Sequence, residues 1–202
     1  LKNHLIKDII KIYYNFKGEN MNVLVYLGSK LGNKEIFKDA AIEVADWISN
    51  KGYGLVYGGN ENGLMGILAS RVLSNECKVI GVMPKFLKEI EMVKTDLSEF
   101  IETDTMQERK DLMRELSDVC IAIPGGPGTM EEITEAYSLH LVGQNSNACI
   151  LFNKNGYYND LKNMYDNMVV NGFLTKEDRS KLLFSEDFNE IDRFIKKVLN
   201  ND

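Results

Sequence analysis

Short, uninterrupted apolar runs alternating with amphipathic stretches constrain this 202-residue chain more than any other feature. Val23-Leu-Val-Tyr-Leu27, Leu55-Val-Tyr57, Val79-Ile-Gly-Val82, Val119-Cys-Ile-Ala-Ile123 and Cys149-Ile-Leu-Phe152 carry no polar alternation. A strand that is apolar on both sides is covered on both sides, as in parallel sheets. Between the runs the period changes. Ile36, Phe37, Ala40, Ala41, Val44, Trp47 and Ile48 fall at helical spacing, and Lys51-Gly52 closes that helix. Residues 63–74, 105–116, 129–142, 158–170 and 189–199 read as further helices, and Phe100-Ile101 as a short extra strand. Pro84 is expected to stop the third strand, and Cys149-Ile-Leu-Phe152 to be the last one in the core. Strand-helix alternation of this kind predicts an α/β fold, a Rossmann-like doubly wound parallel sheet with helices on both faces. No repeat or composition break divides it, so the expectation is one domain over 21–202.

Residues 1–20 read differently. Leu5, Ile9, Ile12, Tyr13 and Phe16 share one helical face, which suits an amphipathic helix docking on a partner or a membrane surface. The second reading starts from Lys17-Gly18-Glu19-Asn20 before Met21, a tetrapeptide that a purine-rich ribosome-binding sequence would encode. On that reading Met21 is the native start and 1–20 is an extension outside the native protein.

Composition excludes several classes. A 44% hydrophobic and 27% charged balance with only 3 prolines is that of a folded soluble protein, not a disordered chain. A formal charge of -6 gives no basic footprint, so nucleic acid is not an expected partner. No apolar stretch approaches the ~20 residues of a membrane span, and no membrane partner is expected. Cys77, Cys120 and Cys149 form no C-x-x-C pair, which argues against a zinc or redox site and for a reduced, cytoplasmic protein. No metal and no cofactor is expected.

In doubly wound folds ligands bind outside the carboxyl ends of the strands. Three strand ends here carry glycine turns: Gly28-Ser29, Gly58-Gly59 with Gly63, and Pro124-Gly125-Gly126-Pro127-Gly128-Thr129. Glycine lets backbone approach a ligand, and a following helix N-terminus offers free N–H groups, which together suit a phosphate. Single Gly-Gly pairs often only turn the chain; three at equivalent strand ends weaken that explanation. Neither G-x-G-x-x-G nor G-x-x-x-x-G-K-[ST] occurs, which disfavours a nicotinamide enzyme or an ATPase. Glu131 and Glu132 are expected in the first turn of the helix that opens after Gly128, where carboxylates complement the helix dipole. A carboxylate is no asset for binding phosphate, so Glu132 is a candidate to stabilise a cationic transition state. Arg109 could face the same cleft or be a solvated charge. His140, flanked by Leu139 and Leu141, reads as a packed helix residue rather than a base.

Pro124-Gly125-Gly126-Pro127-Gly128-Thr129-Met130-Glu131-Glu132 resembles the P-G-G-x-G-T-x-x-E signature of the Lonely-guy (LOG) family. Val56-Tyr57-Gly58-Gly59 with Gly63-Leu64-Met65-Gly66, Val79-Ile80-Gly81-Val82-Met83-Pro84, Met106-Gln107-Glu108-Arg109-Lys110 and Asn155-Gly156-Tyr157-Tyr158 resemble its other motifs, in order. The resemblance runs from Met21 to the C-terminus and implies a cytokinin riboside 5′-monophosphate phosphoribohydrolase. Such an enzyme hydrolyses the N-glycosidic bond of a nucleotide to free base and ribose 5-phosphate. It implies Arg109 and Glu132 as the catalytic pair. It also implies that Gly126, Gly128 and Thr129 hold the phosphate with help from Lys110, and that Glu91 and Ser138 contact substrate. Gly28, Ser29, Gly58, Gly59, Gly125 and Met106 complete the implied substrate site. A homodimer is expected from the same resemblance. The lysine decarboxylase name often given to such sequences has no support here, because nothing marks a Schiff-base lysine.

The chain departs from the family pattern at three places. Gln107 stands for a usual His, Pro127 for an aromatic or aliphatic residue, and Leu139-His140-Leu141 for W-A-Q. The last change is expected to alter the pocket beside the base, leaving AMP and an isopentenylated nucleotide equally open as substrates. A non-hydrolytic nucleotide or cofactor carrier of the same fold is the alternative reading.

Overall fold

Strand β1 (Asn22–Tyr26) lies at the centre of a seven-stranded sheet in the computed structural model, which describes residues 21–200. The expectations for residues 1–20 lie outside the described residues. From β1 the chain passes through helix α1 (Glu35–Asn50) to β2 (Gly54–Tyr57), α2 (Gly63–Ser74) and β3 (Val79–Pro84). A 3-10 turn at Lys85–Glu89 and an irregular stretch lead to the edge strand β4 (Glu99–Thr103). Helix α3 (Met106–Glu115) then crosses back to β5 (Val119–Ala122), which pairs with β1 on its other side. Helix α4 (Pro127–Leu141), β6 (Ala148–Phe152), α5 (Asn159–Val170), the single-turn α6 (Lys176–Arg179), β7 (Leu182–Ser185) and α7 (Phe188–Leu199) complete the chain.

The sheet order is β4-β3-β2-β1-β5-β6-β7 and every strand pair is parallel. Successive side chains on a strand point to opposite faces, so apolar runs feed two cores at once. Val23, Val25 and Leu27 pack with Ala41, Val44 and Ile48 of α1, Leu64 and Leu68 of α2, and Ile191 of α7. Leu24 and Tyr26 pack on the other face with Met113 of α3, Ile133 and Tyr137 of α4, and Tyr165 of α5. Each fully buried aliphatic or aromatic side chain contributes roughly 1.5–3 kcal/mol, so the paired cores and not helix propensity hold the layers together.

One expectation is corrected. Cys149-Ile-Leu-Phe152 is not the last strand: β7 follows it in parallel, with Leu182 opposite Cys149 and Ser185 opposite Phe152. Its middle residues are only half-buried, as befits an edge strand, yet Leu182-Leu-Phe184 is an apolar run as long as Leu55-Val-Tyr57. Strand β3 runs two residues past Val82, to Pro84, which lies opposite Thr103 of β4 and ends the strand as expected. Residues 63–74 form a helix with the expected ends.

The chain turns one way from β1 to β2 and β3, and the other way from β5 to β6 and β7. The reversal point therefore lies between β1 and β5, where a crevice opens past their carboxyl ends.

Candidate active site

A cavity of about 680 Å³ opens at that reversal point. Its floor is the pair of loops that follow β1 and β5. They approach so closely that a Cβ on Gly125 would stand 2.2 Å from Thr129 Oγ1 and 3.0 Å from the Gly28 nitrogen. A side chain at position 125 would therefore part the loops. Gly126 and Gly128 are different: a Cβ on either would meet nothing within 4 Å. They line the cavity and leave backbone bare toward it.

Helix α4 begins with Gly126 as its N-cap and Pro127 as its first residue. Proline suits that position because its missing N–H would have had no helical acceptor. The amides of Gly128 and Thr129 lie in the first turn, and only with Met130 does an N–H return to the Gly126 carbonyl, at 3.2 Å. Bare N–H groups at the positive end of a 15-residue helix make an anion cradle on the cavity floor.

The opening of α4 at Pro127 corrects the position of the two glutamates. They fall in the second turn, beyond the reach of the helix dipole's main effect. Glu132 is buried, 8% exposed, and burial pushes its carboxyl up to about 7. Arg109 pulls it down, Glu131 and Glu135 push it further up, and Lys110 opposes them. The expectation of a carboxylate complementing the helix dipole gives way to a carboxyl that titrates near neutrality. Glu131, by contrast, is occupied by Lys110.

Arg109 arrives from α3, whose start is fixed by a capping box. The Thr105 hydroxyl accepts from the Glu108 N–H at 3.1 Å, and the Glu108 carboxylate accepts from the Thr105 N–H at 3.3 Å. The guanidinium Nε then donates to the Val82 carbonyl at 3.0 Å, and Nη1 lies 4.0 Å from Glu132 Oε1. Arg109 is 5% exposed and yet lines the cavity. Gly58 makes the room: a Cβ there would stand 2.1 Å from Arg109 Nη2.

The other implied site residues divide clearly. Gly28, Ser29, Glu91, Met106, Gly125, Gly126, Gly128 and Thr129 line the same cavity as Arg109 and Glu132. Glu91 is held there by Asn60, whose Nδ2 donates to its Oε2 at 2.9 Å. Gly58 and Gly59 lie outside the lining and shape it from behind, Gly59 with φ +79° beneath Phe100. Lys110 is also outside it, its ammonium bound by Glu131 and, at 3.1 Å, by Glu135. Ser138 lies two turns along α4, and its hydroxyl donates to the Thr134 carbonyl at 2.8 Å. In this chain, then, Lys110 and Ser138 do not line the cavity. Leu139, His140 and Leu141 are likewise away from it, so that departure from the family pattern does not reshape the pocket within this chain. Gln107 points along α3 to Asp111, at 2.9 Å.

The sequence reading missed the apolar wall formed by Leu31, Phe37, Met65, Phe86 and Leu87, and it missed the part played by Tyr157. Tyr157 lines the cavity and its hydroxyl donates to the Gly125 carbonyl at 2.7 Å. Tyr158 donates to the Ile123 carbonyl, also at 2.7 Å. The Asn155-Gly156-Tyr157-Tyr158 motif was the signal, and it could have pointed to the loop after β5. Among the described residues no group of three or more His, Cys, Asp or Glu is placed to hold a metal.

Fold and site together define an α/β protein with a helix-N-terminal anion cradle beside a buried Arg–Glu pair. The chain belongs to the Lonely-guy family: the family model described as "Possible lysine decarboxylase" matches residues 65–195. It is 36% identical over 175 residues to an Oryza sativa subsp. japonica protein named probable cytokinin riboside 5′-monophosphate phosphoribohydrolase, covering 87% of this chain and 78% of the relative. An Arabidopsis thaliana cytokinin riboside 5′-monophosphate phosphoribohydrolase is 36% identical over 169 residues, 84% of this chain and 79% of its own. The molybdenum cofactor carrier protein of Chlamydomonas reinhardtii shares the fold, with a TM-score of 0.67 over 90% of this chain and 99% of the carrier at 19% identity.

Proposed function

We propose that this protein hydrolyses the N-glycosidic bond of a purine riboside 5′-monophosphate, of cytokinin type or AMP-like, releasing free base and ribose 5-phosphate. The observation that carries the reading is the burial of Arg109 and Glu132 together, 4.0 Å apart, in one cavity with the glycine cradle. The cradle amides and the Thr129 hydroxyl suit the 5′-phosphate. As the base departs, the ribosyl carbon becomes oxocarbenium-like, and a carboxylate beside it stabilises that cation or positions the attacking water. Arg109, anchored at Val82, orients the nucleotide and offsets negative charge on phosphate or leaving base. A carrier needs the cradle but gains nothing from a buried carboxylate beside a bound anion. Family membership, with relatives named for this reaction, supports the enzyme.

The reading places the protein in the cytoplasm as a homodimer that binds neither nucleic acid nor membrane, with Cys77, Cys120 and Cys149 as free thiols. Among the described residues no helix is long and apolar enough to cross a membrane.

The test is incubation of purified protein with AMP and with isopentenyladenosine 5′-monophosphate, following free base by chromatography. Release from either substrate is expected, reduced by about 10²–10³-fold in Glu132→Gln, in keeping with loss of one buried electrostatic group at a transition state. Nucleotides that bind and remain intact would overturn the reading in favour of a carrier. Light scattering on the same preparation measures the dimer.

A further inference from the structure

We infer that Tyr157 is a positioning residue for phosphate recognition, acting through the peptide between Gly125 and Gly126. The inference rests on the phosphoribohydrolase reading and adds to it the element that holds the cradle in register. The hydroxyl of Tyr157 donates to the Gly125 carbonyl at 2.7 Å. Among the described residues no cis peptide occurs, so the Gly125 carbonyl and the Gly126 N–H lie in one rigid plane and point in opposite directions. Fixing the oxygen therefore fixes the direction of the amide. That amide precedes the first helical residue, Pro127, which has no N–H of its own to offer. The plane most needs an external tie because glycine supplies no side-chain restraint on either side of it.

The tie is itself held rigid. The Tyr157 ring packs edge-on against Phe37 of α1, with centroids 5.6 Å apart, and against Tyr158 at 4.9 Å. Tyr158 is fully buried and clamps the same loop two residues earlier, through the Ile123 carbonyl. Two adjacent tyrosines thus hold two carbonyls of one loop, one at the end of β5 and one at the cradle. Tyr158 secures the loop to the core, and Tyr157 sets its aim.

Tyr157→Phe removes the hydroxyl and keeps the ring, so folding is expected to survive. One neutral hydrogen bond corresponds to about a five- to tenfold effect. The expected result is a loss of that size in kcat/KM for the nucleoside 5′-monophosphate, with the calorimetric affinity for the unphosphorylated riboside unchanged within about twofold. The Gly126 amide resonance of the ligand-free protein should shift in the variant, which direct contact between the hydroxyl and substrate would not produce. Equal losses with both compounds, no loss with either, or an unmoved Gly126 resonance would overturn the role. Ribose 5-phosphate titrated calorimetrically needs no turnover. If the wild type hydrolyses nothing but Tyr157→Phe still weakens that binding five- to tenfold, the hydrolase reading fails and the positioning role stands. Unchanged affinity there removes the positioning role whatever the activity.

Discussion

Arg109 and Glu132 face each other with 4.0 Å between Nη1 and Oε1, too long for a hydrogen bond and close enough for their charges to interact. The pair is not a structural tie, because Arg109 is already anchored by its Nε–Val82 hydrogen bond. Among the described residues no hydrogen bond ties the Glu132 carboxyl, and burial raises it to about 7. A group that must be ionised to stabilise a cation then limits activity on the acid side. We expect kcat/KM to fall about tenfold per pH unit below an apparent pKa near 7, and to be flat above it until another group titrates. A pH–rate profile measures this. A plateau extending down to pH 5 would show that the ionised carboxylate is not what the reaction needs.

The same shift has a sign for stability. Its folded pKa lies above the unfolded value near 4.5, so the protonated form favours folding. That contribution is fully present below pH 4.5 and is lost as pH rises through about 7, where a bare charge must stay buried. Glu132→Gln should therefore gain on the wild type as pH rises. Between pH 5 and pH 8 the difference in unfolding free energy is expected to move in favour of the variant by roughly 2 kcal/mol. Urea titrations of both proteins at the two pH values measure it. An inactive variant that is more stable at pH 8 would also show that the wild type gives up stability for its site.

Gly58 and Gly126 separate two uses of glycine. A Cβ on Gly58 would stand 2.1 Å from Arg109 Nη2, the movable end of a side chain. Gly58→Ala should leave the fold nearly intact and displace the guanidinium, lowering kcat by at least about tenfold. Gly126→Ala adds a methyl group where nothing lies within 4 Å, on the cavity floor. Its loss should appear in KM for the monophosphate, by about tenfold, with a Tm within a few degrees of wild type. Steady-state kinetics and thermal melts on the two variants check the contrast, which fails if both raise KM alone.

The sequence was most legible where burial is two-sided. Strands β1, β2, β3, β5 and β6 are fully or almost fully buried runs, and their apolar continuity gives them away. The edge strand β7 carries only the three-residue run Leu182-Leu-Phe184, its middle half-buried, and that run sits just after the polar turn of α6, where it is easily passed over. The two-residue error at the start of α4 had more consequence. Pro127 reads as part of a turn but is the first helical residue, and that shift moves Glu132 out of the dipole's reach and into a buried setting. Glycine turns at strand ends were visible, and β1 and β5 bring two of them into contact. What pattern alone did not disclose is which side chains the topology carries to the cavity. Phe86 and Tyr157 lie 71 residues apart in sequence, and both line the cavity. Lys110 shows the converse, since its place beside Arg109 in a motif says nothing of which way it turns.

Lys110 turns to α4, where Glu131 and Glu135 take its ammonium while Arg114 binds Glu135 at 2.8 Å and also pairs with Asp111. The network ties α3 to α4, the two helices that carry Arg109 and Glu132. The Lys110 side chain is 9% exposed but Glu131 is 55% exposed, so solvent screens part of the interaction. Lys110→Met keeps the aliphatic stem and removes the charge, leaving Glu135 with Arg114 as partner. We expect a loss of about 1–3 kcal/mol in stability. The affinity for ribose 5-phosphate should be unchanged within about twofold, because the ammonium does not reach the cavity. Chemical denaturation and calorimetry on the same variant separate the two effects. A tenfold loss of phosphate affinity in a protein of wild-type stability would mean that Lys110 leaves its glutamates to hold the substrate, and that it does not act as a strut between α3 and α4.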